Sequence, residues 1–244
     1  MRAFRREGDH LVAEVDPGER EVLATVVADV AELLGGGRLE ERDATDGPAD
    51  DDATPAVRLR LDPLPTPDDP AVHRLLPDAS RDDADVAAEF RRLTEDDLRQ
   101  QKIDRLAELF DALTADEPDP EPDEPAGDTR RSRRRHRDRH AGLETVRVPW
   151  DRAPALAATL TDVRLVLGER LGVTDERASD ALEREVVHGS ADDGAAQARQ
   201  YLGSVFLALG WWQETLMACL LADLPERPDR PERPGTADGL GSGA

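Results

Sequence analysis

YLGSVFLALGWWQETLMACLLADL, residues Tyr201 to Leu224, is the one long apolar stretch of the chain. Extended back to Ala195, its apolar positions fall at Ala195, Ala198, Leu202, Val205, Leu209, Trp212, Leu216 and Cys219. The steps alternate between three and four residues, the spacing that keeps side chains on one face of an α-helix. Gln213, Glu214 and Thr215 stand near the centre of the stretch, and a carboxylate at bilayer depth costs roughly 2.5–3.5 kcal/mol. The stretch therefore reads as a core helix of a soluble protein and not as a membrane span. So long a seam needs a large apolar partner, and the search for that partner decides the fold.

Upstream, Asp151 and Pro154 start a helix with Leu156, Leu160, Val163 and Leu167 on one side. After the turn Leu171 to Thr174, Thr174 caps a helix with Ala178, Leu182 and Val186 inward, closed by His188 and Gly189. At the other end of the chain, Asp16 and Pro17 open a helix striped by Val22, Val26, Val30 and Leu33 and ended by Gly35, Gly36 and Gly37. A further helix runs from Ser80 to Leu93. Thr94 with Asp97 resembles a capping box that starts another, striped by Ile103, Leu106, Phe110 and Leu113. Asp97, Gln100, Gln101 and Asp104 interrupt the seam between these two, which reads as a solvated kink, with a partner-facing patch as the second reading.

The β signals are few. Phe4 to Val15 reads as a hairpin turning at Glu7, Gly8 and Asp9. Val57 to Leu61 and Glu144 to Pro149 are candidate third strands, the latter added to the hairpin. The predicted fold is mainly α, a bundle of about five or six helices with a small N-terminal hairpin. Residues 1–113 and 143–224 form the two halves of a shared core, with an acidic loop over about 38–55. Residues 114–142 read as a disordered linker and 225–244 as a disordered tail.

Composition agrees with helices. Hydrophobic residues make up 38% against 35% charged, with three Trp, four Phe and one Tyr, so Leu, Val and Ala must build the core. Asp and Glu number 54 against 32 Lys and Arg, a net charge of −22 that argues against broad attraction to DNA or anionic membrane. Lys102 is the only lysine. Cys219 is the only cysteine, which excludes an intramolecular disulfide and suits a reducing cytosol. The first fifteen residues hold no apolar signal region.

The strongest local charge signal is DTRRSRRRHRDRH, residues Asp128 to His140. It places Arg130, Arg131, Arg133, Arg134, Arg135, Arg137 and Arg139 where they can contact phosphate or a partner. Residues 115 to 129 directly before it carry seven acids, which compete for the same guanidiniums within a screening length of ~8 Å. No aromatic residue interleaves to stack bases. A self-neutralising linker is the favoured reading, with weak nucleic-acid or partner contact kept as the second.

Thr161 to Val186 has the outline of a helix-turn-helix about Gly172. Its second helix carries Asp175, Glu176, Asp180, Glu183 and Glu185 against Arg177 and Arg184, a poor surface for a phosphate-lined groove. Two packed helices are the better reading. His10, His73, His136, His140 and His188 show no metal-ligand spacing, and Gly35 to Gly37 lack the lysine of a phosphate loop. No nucleophile elbow is present. The residues point to no catalytic, cofactor or metal site, and an enzyme is the least supported class. Cys219, on the apolar seam, reads as a buried small hydrophobe; a redox role is the second reading.

Four segments together carry a resemblance: DPAVHRLLPDA, EFRRLTEDDLRQQKIDRLAEL, LTDVRLVLGERLGVTDE and YLGSVFLALGWWQETLMACL. They resemble an actinobacterial family of unknown function that includes the AosR-type oxidative-stress transcriptional regulators. The resemblance implies a cytoplasmic stress-response regulator acting through protein contact, with a sigma factor or RNA polymerase as partner and no tight DNA binding alone. Thiol sensing through an intramolecular disulfide does not carry over, because it needs a second cysteine. Sulfenylation or an intermolecular disulfide at Cys219 is what could survive. The alternative from the residues alone is a helical adaptor or structural protein with no transcriptional role.

Overall fold

Gly8 adopts φ +60°, the left-handed conformation that lets the backbone reverse between strand β1 (Arg5–Glu7) and strand β2 (His10–Val15). The computed structural model describes residues 1–41, 67–115, 142–189 and 193–223. Strand β3 (Glu144–Pro149) pairs antiparallel with β2, from His10 opposite Pro149 to Val15 opposite Glu144, so the sheet order is β1-β2-β3. The central strand buries Leu11, Val12, Ala13 and Val15. The third strand is thus the one that joins residues far apart in sequence. Val57 to Leu61, Arg130 to Arg139, His136, His140 and the tail from 225 lie outside the described residues.

Six α-helices are found among the described residues: α1 (Pro17–Leu33), α2 (Pro70–Leu75), α3 (Ala84–Thr114), α4 (Ala153–Leu171), α5 (Glu176–His188) and α6 (Gly194–Ala222). The architecture is mainly α with a small antiparallel sheet. Helix α1 starts as its residues predict: Asp16 and Glu19 form a reciprocal capping box, and Pro17 occupies the first turn. Its buried face is wider than the predicted stripe. Leu23, Ala24, Val27, Ala28 and Ala31 join Val26 and Val30, while Val22 and Leu33 are only half-buried. Gly36, just beyond the helix, lets Ile103 of α3 approach so closely that a Cβ there would stand 2.8 Å from its side chain.

Several local expectations are corrected. The stretch read as two helices with a kink is the single helix α3, capped by Asp83, whose side chain accepts from the backbone N–H groups of Asp85 and Val86 at 3.0 Å. Thr94 does not cap: its hydroxyl donates back to the Phe90 carbonyl at 3.0 Å, as a threonine inside a helix does. In α5 the cap is Asp175, one residue past Thr174, accepting from Ala178 N–H at 2.8 Å. On α6, Ala195 and Ala198 are exposed, so the buried seam begins near Leu202 and includes Val205, Leu209, Trp212 and Leu216. The acidic loop also starts later, since Leu39 is buried in a short 3-10 turn.

One hydrophobic cluster takes in residues from β2, α1, α2, α3, β3, α4, α5 and α6, and α4 packs along α6. Trp212 is fully buried, stacks on Phe4 with ring centroids 4.4 Å apart, and donates its indole N–H to the Arg2 carbonyl at 3.1 Å. The N-terminal segment is thereby pinned to the last helix.

Candidate functional site

Four charged or polar side chains lie buried among the described residues, and three of them are charged: Arg91, Glu95 and Asp162. Asp162, on α4, faces α3. Its carboxylate accepts from Lys102 Nζ at 2.7 Å and from an Arg105 guanidinium nitrogen at 3.3 Å. Nearer the start of α3, Glu95 accepts from Arg99 at 2.6 Å and lies 3.5 Å from Arg91 Nε. Arg91 also donates to Asp78, which His73 approaches at 3.3 Å. The Arg91 hydrogen bond holds the Asp78 carboxyl below the usual carboxylate range; partial burial opposes this and His73 reinforces it.

These groups answer one another. Burying a charge is tolerated only when it is paired, and each of the three has its counter-charge in place. The arrangement is one that locks α3 onto α4 and onto the segment that follows α2. Glu95 Oε2 takes no hydrogen bond, but Arg91 stands beside it.

Composition and periodicity missed this cluster, yet a signal was present. Stepping back from Leu106 by threes and fours along α3 leads to Lys102, Arg99, Glu95, Arg91 and Ala87. The inward face simply changes from apolar to charged, and the sole lysine sits at the change.

A surface groove of about 210 Å³ lies between α2, α4 and α6, lined in part by Arg74, Arg164, Gly168, Glu169 and Phe206. Arg164 stacks 5.1 Å above the Phe206 ring and donates to Gln213 Oε1 at 2.7 Å. Gln213 in turn donates to Thr161 Oγ1 at 2.6 Å, so this polar residue at the centre of α6 bridges α4 to α6. Arg74 pairs with Glu169 at 2.8 Å. Among the described residues no group of three or more His, Cys, Asp or Glu could hold a metal ion.

Cys219 is half-buried, which corrects the expectation of full burial. Its thiol donates to the Phe4 carbonyl at 3.2 Å, and burial pushes its pKa up from the ordinary thiol value. Helix α6 is long and apolar enough to cross a membrane by length and composition, with mean hydropathy 1.4 over its most apolar window. In the fold, one side of it carries the Trp212 seam against α4 and the N-terminal strand. Gly172 takes φ +69° between α4 and α5, so the candidate helix-turn-helix is two helices joined at a left-handed glycine, and the second of them packs on α6, where Leu182, its buried residue, lies against Gly203.

The large apolar side chains left in solvent are concentrated on helices. Val86, Phe90, Leu93 and Leu98 project from α3, and Tyr201, Trp211, Met217 and Leu221 from α6. The family model described as "Domain of unknown function (DUF2017)" matches residues 1–220. The chain belongs to the DUF2017 family. The DUF2017 match spans the sheet and all of α1 to α5, reaches into the last turn of α6, and includes Asp162 and Cys219. Comparison with curated proteins and with solved structures returns no match.

Proposed function

We propose that this DUF2017 protein is a non-enzymatic cytoplasmic regulator of transcription in the stress response, working by protein contact and not by tight DNA binding alone. The resemblance to the AosR-type regulators supports the transcriptional part. A sigma factor or RNA polymerase is the partner this reading names. The observation that carries the contact part is the display of large apolar side chains on the outer faces of α3 and α6, while the buried charges are occupied with one another. Convex apolar helix faces suit docking between proteins, whereas a substrate needs a concave pocket that encloses it.

The experiment is affinity capture of the tagged full chain from the cells that make it, with brief crosslinking and a reciprocal capture from tagged polymerase. Recovery of polymerase or a sigma factor in both directions is expected. Reproducible absence of both, with some other protein recovered, would replace the regulator by a helical adaptor that uses the same faces.

A further inference from the structure

The first half of α3 has its polarity inverted. Its inward positions hold Ala87, Arg91 and Glu95, with the two charged residues only 7% and 8% exposed. Its outward positions hold Val86, Phe90 and Leu93, which are 53%, 48% and 60% exposed. The outward three are spaced i, i+4, i+7 and so share one face, spanning about 10 Å along the axis. A surface helix normally turns such a stripe to the core. Here the inward face is held by ion pairs instead, and among the described residues the apolar stripe stands in solvent.

The rim says what would cover it. Between residues 81 and 97, outside the buried pair, stand Asp82, Asp83, Asp85, Glu89, Asp96 and Asp97 against Arg81 and Arg92. Asp97 continues the stripe itself, at the next position on the same face. An apolar stripe set in an acidic rim complements a helix whose apolar side is flanked by lysine or arginine. A second copy of the chain would oppose acid to acid across a two-fold interface, in a molecule of net charge −22. An anionic membrane surface is repelled by the same rim. The arginine run of this chain, residues 130–140, contains only Arg, Ser, His and Asp and has no apolar side chain to cover the stripe.

We infer that Val86, Phe90 and Leu93 of α3 form a docking face for a basic amphipathic helix of a partner protein. This rests on the reading that the protein works by contact, and it places that contact. Phe90 is the central anchor, the aromatic type that dominates such interfaces. The acidic rim selects the partner and speeds encounter.

The test uses a fluorescein-labelled 18-residue helical peptide of Leu and Lys, with the lysines on one side, titrated into the full chain and read by anisotropy at near-physiological salt. A matched peptide with Glu in place of Lys is the control. Binding of the Lys peptide is expected, with the Glu peptide at least tenfold weaker. Phe90→Ser with Leu93→Ser should raise Kd about tenfold or more, the loss typical of truncating an interface anchor. Asp97→Lys should weaken binding too, and Trp211→Ser, an exposed aromatic change on α6, should leave it unchanged. Both α3 side chains are about half exposed, so unaltered melting of the double variant checks its fold.

Peptide binding that survives the Phe90 and Leu93 substitutions, or is lost equally with Trp211→Ser, would overturn the docking face. So would no binding at all, or a dimer by sedimentation that Phe90→Ser dissolves, since the occupant would then be a second copy. The peptide titration contains no transcription component. Failure to capture polymerase therefore leaves it standing, and its own failure leaves the capture result standing.

Discussion

Asp162 receives Lys102 and Arg105 in a setting where its own side chain is nearly shut off from water. Removing one partner of such a group leaves the other charges buried without an answer. Asp162→Ala is therefore expected to destabilise the protein by about 3 kcal/mol, the range for breaking a buried pair. Lys102→Met combined with Asp162→Leu should recover most of that loss, because apolar side chains of similar size fill the same space. Urea unfolding of the two variants makes the comparison, and equal losses in both would show that packing and not charge holds this position. Cys219 lies at the other extreme. Its small side chain packs beside the core and its thiol gives one hydrogen bond to Phe4, so Cys219→Ala should cost about 1 kcal/mol or less. Because its pKa is raised by burial, little thiolate forms at neutral pH, and a thiol reagent should label the native protein more slowly than the urea-unfolded chain. Equal labelling rates would contradict that, and peroxide-dependent dimers lost in Cys219→Ser would establish a redox role.

At the scale of the element, the helices were legible where caps and apolar stripes agree, and α3 shows where the reading stops. Asp16 with Pro17 and the Val26 and Val30 face specify α1, and the stripe Leu156, Leu160, Val163 and Leu167 specifies α4, although the start of α4 has no side-chain cap and its buried face also holds Thr159 and Asp162. In α3 the inward positions from Arg91 to Lys102 are charged, so periodicity reports a break where the backbone has none. The ion pairs with Asp78 and Asp162 come from α4 and from the segment after α2, and a pattern read within one window does not contain them. The two placements of the helix start can be weighed directly. Asp83→Ala should cost about 1 kcal/mol, the usual loss for an N-cap. Thr94→Ala should cost nothing and give at most a slight gain, through the better helix propensity of alanine. Thermal or urea unfolding of both variants is the measurement; the reverse order of losses would restore a helix start at Thr94. The docking face was hidden for the same reason. Val86, Phe90 and Leu93 look like a core stripe until the positions behind them are known to be filled by charge.

For the whole molecule, the preference for arginine acquires a physical role that composition did not reveal. Arg99 donates to the Leu34 carbonyl at the end of α1 at 3.1 Å, Arg199 to the Leu171 carbonyl at the end of α4 at 2.9 Å, and Arg20 to the Leu113 carbonyl near the end of α3. Helices α1 and α3 have no basic residue in their own last turns. Their carbonyl ends are answered from neighbouring elements by a guanidinium, whose fork of donors also reaches a carboxylate, as Arg20 does with Glu144 at 2.6 Å. These cations are thus committed inside the fold, which leaves the net −22 to dominate the approach of any phosphate. Helix α5, the candidate recognition helix, adds Glu176, Asp180, Glu183 and Glu185 against Arg177 and Arg184. The intact protein is therefore expected not to bind duplex DNA tightly at physiological salt, since phosphate-driven affinity needs many cations and falls steeply with ionic strength. The remaining cationic stretch, Arg130 to Arg139, adjoins seven acids between residues 116 and 129. Deleting 116–129 keeps Ala115, whose carbonyl Arg20 holds, and should strengthen non-specific binding by removing the competing charge. Anisotropy titrations of a labelled duplex with both proteins, at near-physiological and at low salt, measure this. Submicromolar, sequence-selective binding by the intact protein would return the DNA-reading role to α4 and α5. Unchanged binding after the deletion would show that the acidic block does not compete for the arginines.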